Sequence, residues 1–406
     1  MVYLKRYNNN FHSDDNMQDE QLVLNLKKKR RFQRLDALKK LVKIETFEAE
    51  KNLKANMNFQ CRTEFSGFNT NPSLSAYKLM KNGFPVHSVV DYASLSGAAE
   101  LMKAEKILGG VFYVGTEVVC RGKDKENVRM LSLGIPHGEI KPFNFELCFY
   151  RKLHNDYTDE ILKKINERMK KFGITVSAPP RTFFKTTSVE DVFICFANAI
   201  IEKFRTGEAI TDFIVNELSV VLSEDDEKRL EDTANIFYKS DLAATLYNNY
   251  KMKLPERKAK SVSEFVSASD SHGAISSLLL NGDENKAVDF AIKNKIKSIT
   301  FDIDKVSPDF DAALFYDKCI AAGIIPLARM VCDYPKKKLV CEFADEKTAE
   351  AYRETTFAVI GHEISSSLDI ADGLFSDRSV ENTPDLKDRL RLFSRIGLKG
   401  SNINDL

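Results

Sequence analysis

The chain has 406 residues, 43% hydrophobic and 29% charged, which is enough for one large barrel with insertions or for two domains. Its 60 lysines and arginines stand against 59 acidic residues, and the net charge of +1 gives no chain-wide attraction to nucleic acid. The 7 cysteines form no Cys-x-x-Cys pair, which fits a reducing compartment better than a secreted disulfide scaffold, and no window approaches an uninterrupted membrane span, so a cytoplasmic chain is expected.

Residues 1–55 read as a polar N-terminal helical extension. The basic run Lys27-Lys28-Lys29-Arg30-Arg31 precedes a helical pattern through Leu35, Leu38, Leu41 and Val42. Without interleaved aromatics the run reads as the solvated start of that helix in preference to a phosphate contact. From Asn58 short apolar runs alternate with amphipathic helices, and residues 56–142 form the first half of a barrel. The runs are Asn58-Phe59-Gln60-Cys61-Arg62-Thr63, Pro85 to Tyr92, Val114-Gly115-Thr116-Glu117, and Arg129 to Ile135 ending at Pro136-His137-Gly138. A helix starting at Pro72 and closed by Asn82-Gly83 separates the first two, and Ser96-Gly97 opens the next. This alternation predicts a parallel sheet whose strand ends, each a small polar cluster, converge on one rim.

Strand signal disappears between residues 143 and 264, which read as a helical insertion. Helices are expected from Thr158 to Phe172, Val189 to Phe204, Thr211 to Leu222 and Asp225 to Tyr250. A packing role is the preferred reading, with a lid or a partner-binding module left open. Over residues 265–406 the alternation resumes with strands near Ile275, at Ser298 to Asp302 and at Gly323 to Arg329, and Leu339 to Phe343 is expected to close the sheet. Helices are expected from Glu346 to His362 and from Asp385 to Phe393. His362 is placed on the surface, His272 at the far end of the barrel, and His87 within a strand as a structural histidine. No Gly-rich phosphate loop, Gly-x-Ser-x-Gly elbow or His-Glu-x-x-His occurs.

Around the first three strand ends the sequence resembles the polymerase and histidinol phosphatase (PHP) family of metal-dependent phosphoesterases. That family's first strand ends in His-x-His-Thr, its second in Asp-His before a helix opening Leu-x-Gly, and its third in Gly-x-Glu. Gln60 and Arg62 stand here for the two histidines and Tyr92 for the third, while Thr63, Asp91 and Glu117 match. His12-Ser13-Asp14-Asp15 mimics the first motif, but the loop signal Tyr7-Asn8-Asn9-Asn10 precedes it and it is set aside. The resemblance implies an α/β fold, a distorted (β/α)7-type TIM-like barrel with the insertion after the fourth strand. It also implies a mouth where histidines and carboxylates hold divalent metals that activate water against a phosphoryl group. Two further family positions are not kept: Glu190-Asp191 replaces an Arg-His pair, and Ala328-Arg329-Met330 replaces a later ligand.

Arg62 offers no lone pair and stays protonated, so it would repel a cation and could bind an anion in its place. The alternative is that it pairs with Asp91 or Glu117 and fills space. Cys61 would point into the opposite packing layer. The expected ligand-binding set is therefore Gln60, Arg62, Asp91, Tyr92, Glu117 and His137. No cofactor is expected, with one Zn, Mn or Fe ion at Asp91, Glu117 and His137 as the alternative. The expected function is a PHP-like protein with an eroded metal site, catalytically impaired, binding a phosphorylated or other anionic small molecule. An active one-metal phosphoesterase and a non-catalytic interaction scaffold are the alternatives, and oligomeric state is open.

Overall fold

A computed structural model describes residues 21–45, 58–66, 70–84, 86–181, 185–235, 238–332, 343 and 345–400. Seven strands close a barrel in chain order: β1 (Asn58–Cys61), β2 (Val86–Tyr92), β3 (Val111–Arg121), β4 (Asn127–Leu133), β5 (Ile275–Leu279), β6 (Ser298–Asp302) and β7 (Ile325–Cys332). The α/β barrel expected from the sequence is the one that forms. The all-parallel sheet is not. β3 runs on past Glu117 to Arg121, turns over residues 122–126, and returns as β4, which pairs antiparallel with both β3 and β5. Gly122 and Asp124 supply the turn chemistry, and Lys125 takes a left-handed φ of 63°.

Period-two alternation divides the strands into two faces. Inward-facing Val86, Val90, Val111, Tyr113, Leu131, Leu133, Ile275, Ile325 and Leu327 fill the lower barrel and continue into a helix, Glu346–Leu368, that covers its base. Gly361 of this helix and Gly397 of the helix Leu386–Gly400 let the two backbones touch, because a methyl at either would strike a carbonyl of the other. His362 is thereby buried rather than on the surface, with Nε2 on the Gly273 carbonyl at 2.8 Å and Nδ1 accepting from Leu374 N at 2.9 Å. The outward faces meet the surrounding helices in a second apolar layer that includes Cys61, as expected.

The expected first helix is Arg31–Ile44. The lysines before it form a turn, because the Arg34 guanidinium takes the carbonyls of Lys28 and Lys29, each at 2.8 Å, and pairs with buried Glu100. Pro72–Lys81 is capped by Asn71, which accepts from Leu74 N. Within the insertion Val189–Phe204 has the predicted limits, opened by a Ser188/Asp191 capping box. The expected Thr158 helix is the end of a longer one, Cys148–Met169, and the expected Asp225 helix is split into Glu224–Glu231 and Tyr238–Asn249. Residues from Ile161 to Tyr250 enclose an apolar cluster of their own around Phe193, Phe196, Ile200 and Leu246. Residues 12–15, Asp333 and all of the expected closing strand except Phe343 lie outside the described residues. Among the described residues no helix is long and apolar enough to cross a membrane.

Candidate functional site

The mouth of the barrel is where the parallel strands end, and its inward side chains are polar: Gln60 from β1, Glu117 from β3, Asp302 from β6 and Arg329 from β7. Arg329 is 1% exposed and Glu117 2%. The Arg329 guanidinium ties the four together. Its Nε pairs with Asp302 Oδ1, and its Nη1 donates to Gln60 Oε1 at 2.8 Å and to Glu117 Oε2 at 3.3 Å. Gln60 in turn donates to the Tyr113 hydroxyl at 2.8 Å. Nη2 of Arg329 is buried with no hydrogen-bond acceptor among the described residues.

Glu117 receives two further arginines, Arg62 Nη2 at 3.0 Å and Arg129 through Nε at 2.8 Å and Nη2 at 2.6 Å. Burial works against its charge. The charges of Arg62, Arg129 and Arg329 overcome that and hold the carboxyl well below its ordinary range. Asp302 is similar: burial opposes ionisation, but Arg329 and Lys305 outweigh it and the carboxyl is lowered. Among the described residues, Arg62, Arg129 and Arg329 thus contact Glu117, and Lys305 and Arg329 contact Asp302. A cavity of about 380 Å³ opens beside them between the loops after β5 and β6, lined by Arg129, Asn281, Asp302, Lys305 and Ser307 among others.

The six expected binding residues are only partly brought together. Gln60, Arg62 and Glu117 meet at the mouth, and Arg62 makes the ion pair with Glu117 that the space-filling reading anticipated. Tyr92 shares the face of its register partner Glu117. Its hydroxyl accepts from Arg257 Nη2 at 2.7 Å and from Val119 N at 3.0 Å, and its ring lies 4.1 Å from that of His154. Asp91, one position earlier, faces away from the lumen. Its carboxylate accepts from Thr63 N and Thr63 Oγ1, each at 2.6 Å, and from Ser66 Oγ at 2.7 Å, so it fastens the loop after β1. Burial nonetheless raises its pKa.

His137 is not at the mouth. Because β4 is reversed, its C-terminal end lies beside the start of β3, and Ile135 N reaches Val114 O at 3.2 Å. His137 stands near Phe112, with ring centroids 6.4 Å apart, and pairs with Glu363 at 3.0 Å. Phe112 precedes Glu117 by five residues, roughly 17 Å along a strand. The expected group Asp91, Glu117 and His137 is therefore divided among the outer layer, the lumen and the opposite end. His272 lies at that opposite end, as expected, between Glu139 and Glu146. His87 abuts Glu105 in the outer layer.

Sequence reading missed Arg129, Asp302 as a partner of Arg329, and the insertion's His154 and Arg257. The one available signal was an arginine inside the apolar run of β7.

A divalent ion of the kind the PHP resemblance implies does not fit these residues. The inward positions of β1 and β7 carry Gln60 and Arg329, Glu117 has both oxygens committed to arginines, and Asp91 turns outward. Among the described residues no three His, Cys, Asp or Glu side chains form a metal-binding group.

No family profile and no curated protein matches the sequence. Among solved structures, the chain is similar to a candidate metal-dependent phosphoesterase from Bifidobacterium adolescentis, at 15% identity and a TM-score of 0.46, over 73% of this chain and 94% of that one. It is also similar to an amidohydrolase from Chromobacterium violaceum solved with sulfate and no metal, at 14% identity and a TM-score of 0.47, over 73% of this chain and 97% of that one. The fold rests on the chain's own geometry, seven strands closed around a polar mouth in an α/β barrel.

Proposed function

We propose that the barrel mouth binds a phosphorylated or other small anion directly on arginine, and that the metal-dependent hydrolysis implied by the PHP resemblance is impaired. The observation that carries this is the buried Nη2 of Arg329, which lacks an acceptor among the described residues, beside a cavity lined by the cationic side chains of Arg129 and Lys305. A buried donor left unsatisfied costs about 1–3 kcal/mol, and an anion oxygen would relieve it. Guanidinium groups suit phosphate and carboxylate because their paired N–H groups match two oxygens. In this reading residues 143–264 act as a unit that flanks the mouth. Support comes from their separate apolar cluster and from Thr186, which donates through N and Oγ1 to the Phe65 carbonyl at 2.9 and 3.0 Å.

The test uses the full chain with inorganic phosphate, followed by isothermal titration calorimetry and thermal unfolding, with and without chelator. Expected are saturable phosphate binding that is indifferent to chelator and at least about tenfold weaker in an Arg62→Met/Arg129→Met variant, and no turnover of 4-nitrophenyl phosphate. Turnover abolished by chelator, with about one equivalent of Zn, Mn or Fe in the purified protein, would instead establish the active one-metal phosphoesterase.

A further inference from the structure

A second cavity, of about 430 Å³, lies at the end of the barrel opposite the mouth, between the helix Ala98–Leu108, the start of β3 and the helix Glu346–Leu368. That volume is within the range of small-molecule sites. Its walls are mainly apolar, from Met102, Val111, Phe112, Ile360 and Ile364, and its polar groups are Glu105, Lys106, His137, Glu363 and Ser367. The end of a barrel away from the strand C-termini ordinarily serves stability. Buried acid groups on an apolar wall are not needed for that.

Glu363 is fully engaged, accepting from Val114 N at 2.6 Å and sharing a hydrogen bond with His137 Nε2 at 3.0 Å. Glu105 is different. It is 1% exposed, its Oε1 abuts His87 Nε2, and its Oε2 meets no hydrogen-bond donor among the described residues. The chain turns past it through Gly109, in a left-handed conformation at φ 72°, and Gly110, where an added methyl would strike Oε2. The missing side chain at Gly110 leaves room for that buried oxygen beside the cavity that Glu105 lines.

We infer that this cavity is a binding site for a small, largely apolar molecule bearing a protonated amine, with the Glu105 carboxylate as the acceptor for the ammonium group. A carboxylate acceptor favours a charged donor over a neutral one, since charge-assisted hydrogen bonds are about twice as strong. The aliphatic and aromatic walls take the apolar body.

The experiment titrates the full chain with 2-phenylethylamine, 2-phenylethanol and phenylacetate by isothermal titration calorimetry and ligand-observed NMR. Saturable amine binding is expected, with the alcohol and the acid each at least about tenfold weaker. The Glu105→Gln variant should lose amine binding by a similar factor. Should that variant not fold, Ile364→Phe, which fills the cavity and leaves the Glu105–His87 pair in place, must also weaken the amine about tenfold. Equal binding of amine and acid, no saturable amine binding up to about 10 mM, or undiminished binding in Ile364→Phe would overturn the inference.

Discussion

Replacing Glu117 by glutamine removes one negative charge and almost no volume, so its effect is close to purely electrostatic. Three guanidinium groups converge on this carboxylate within 2.6–3.3 Å. At an effective dielectric near 20, each such pair is worth about 4 kcal/mol of attraction at 4 Å, most of it spent against desolvation. Breaking a buried pair from one side costs about 3–5 kcal/mol, because the partner charges stay buried without compensation. With a urea slope near 3 kcal/mol/M, the midpoint should fall by about 1–1.7 M. The pH dependence has a fixed sign. The folded pKa of Glu117 lies below its unfolded value of 4.5, so the contribution is complete above that value and is lost as pH falls toward the folded one. The gap between wild type and variant should hold from pH 8 to about 5.5 and narrow below about 4.5. Far-UV circular dichroism in urea at several pH values measures it, since the chain has 0 tryptophans to report by fluorescence. An unchanged midpoint would refute the reasoning. So would a gap that is widest in acid. Inorganic phosphate should stabilise the variant more than the wild type, because its mouth has one negative charge fewer.

Burial, with Arg257 second, holds the His154 imidazole down to about 3, and burial holds His362 down to about 4. Both are neutral when folded and protonate near 6.5 when unfolded, so stability should fall by up to about 1.4 kcal/mol per pH unit for each histidine as pH drops below 6.5. Urea midpoints at pH 7.5 and 5.5 compare them, and His362→Asn should flatten the slope. Gly361→Ala should cost about 1–3 kcal/mol or more by forcing the Glu346–Leu368 and Leu386–Gly400 backbones apart, and thermal unfolding reads this directly. Arg34→Met leaves Glu100, 3% exposed, to the Ser73 hydroxyl alone among the described side chains, and should lower stability by about 3 kcal/mol. Faster proteolysis before residue 45 would accompany it.

The barrel was legible in the sequence because each strand carries a short apolar run with a polar end, a pattern local enough to survive without knowledge of partners. In the insertion Val189–Phe204 was legible for the same reason, with Ser188 marking its start, whereas the expected Thr211–Leu222 helix is instead Gly207–Asp212 followed by a π turn, Phe213–Glu217. The reversal of β4 was missed. The Gly115-Thr116-Glu117 cluster looks like a strand end, although Val118-Val119-Cys120-Arg121 continues the alternation into a turn containing Gly122 and Asp124. That single reversal misplaced His137. The site was legible only as a loss of ligands. Which cation stands in the lumen depends on Arg329 meeting Gln60, Glu117 and Asp302 from four separate strands, and pairing at such sequence distance leaves no periodic trace. Asp91 was read by type without regard to its face. One residue of register sends it outward to Thr63 and Ser66.

The reversed fourth strand also governs the order in which the chain can be completed during synthesis. β1 to β4 emerge first as an open half-barrel. The edge of β4 waits for Ile275 and that of β1 for Arg329 to Cys332, with the whole helical insertion made in between. That insertion gathers contacts near in sequence and can collapse early, whereas barrel closure bears the entropy of a long loop. Once Met252 is free of the ribosome, the nascent chain has all the residues of the helical cluster while two strand edges still lack their partners. Such edges invite pairing with other chains, so the vulnerable interval ends only when β5 docks on one side and β7 on the other.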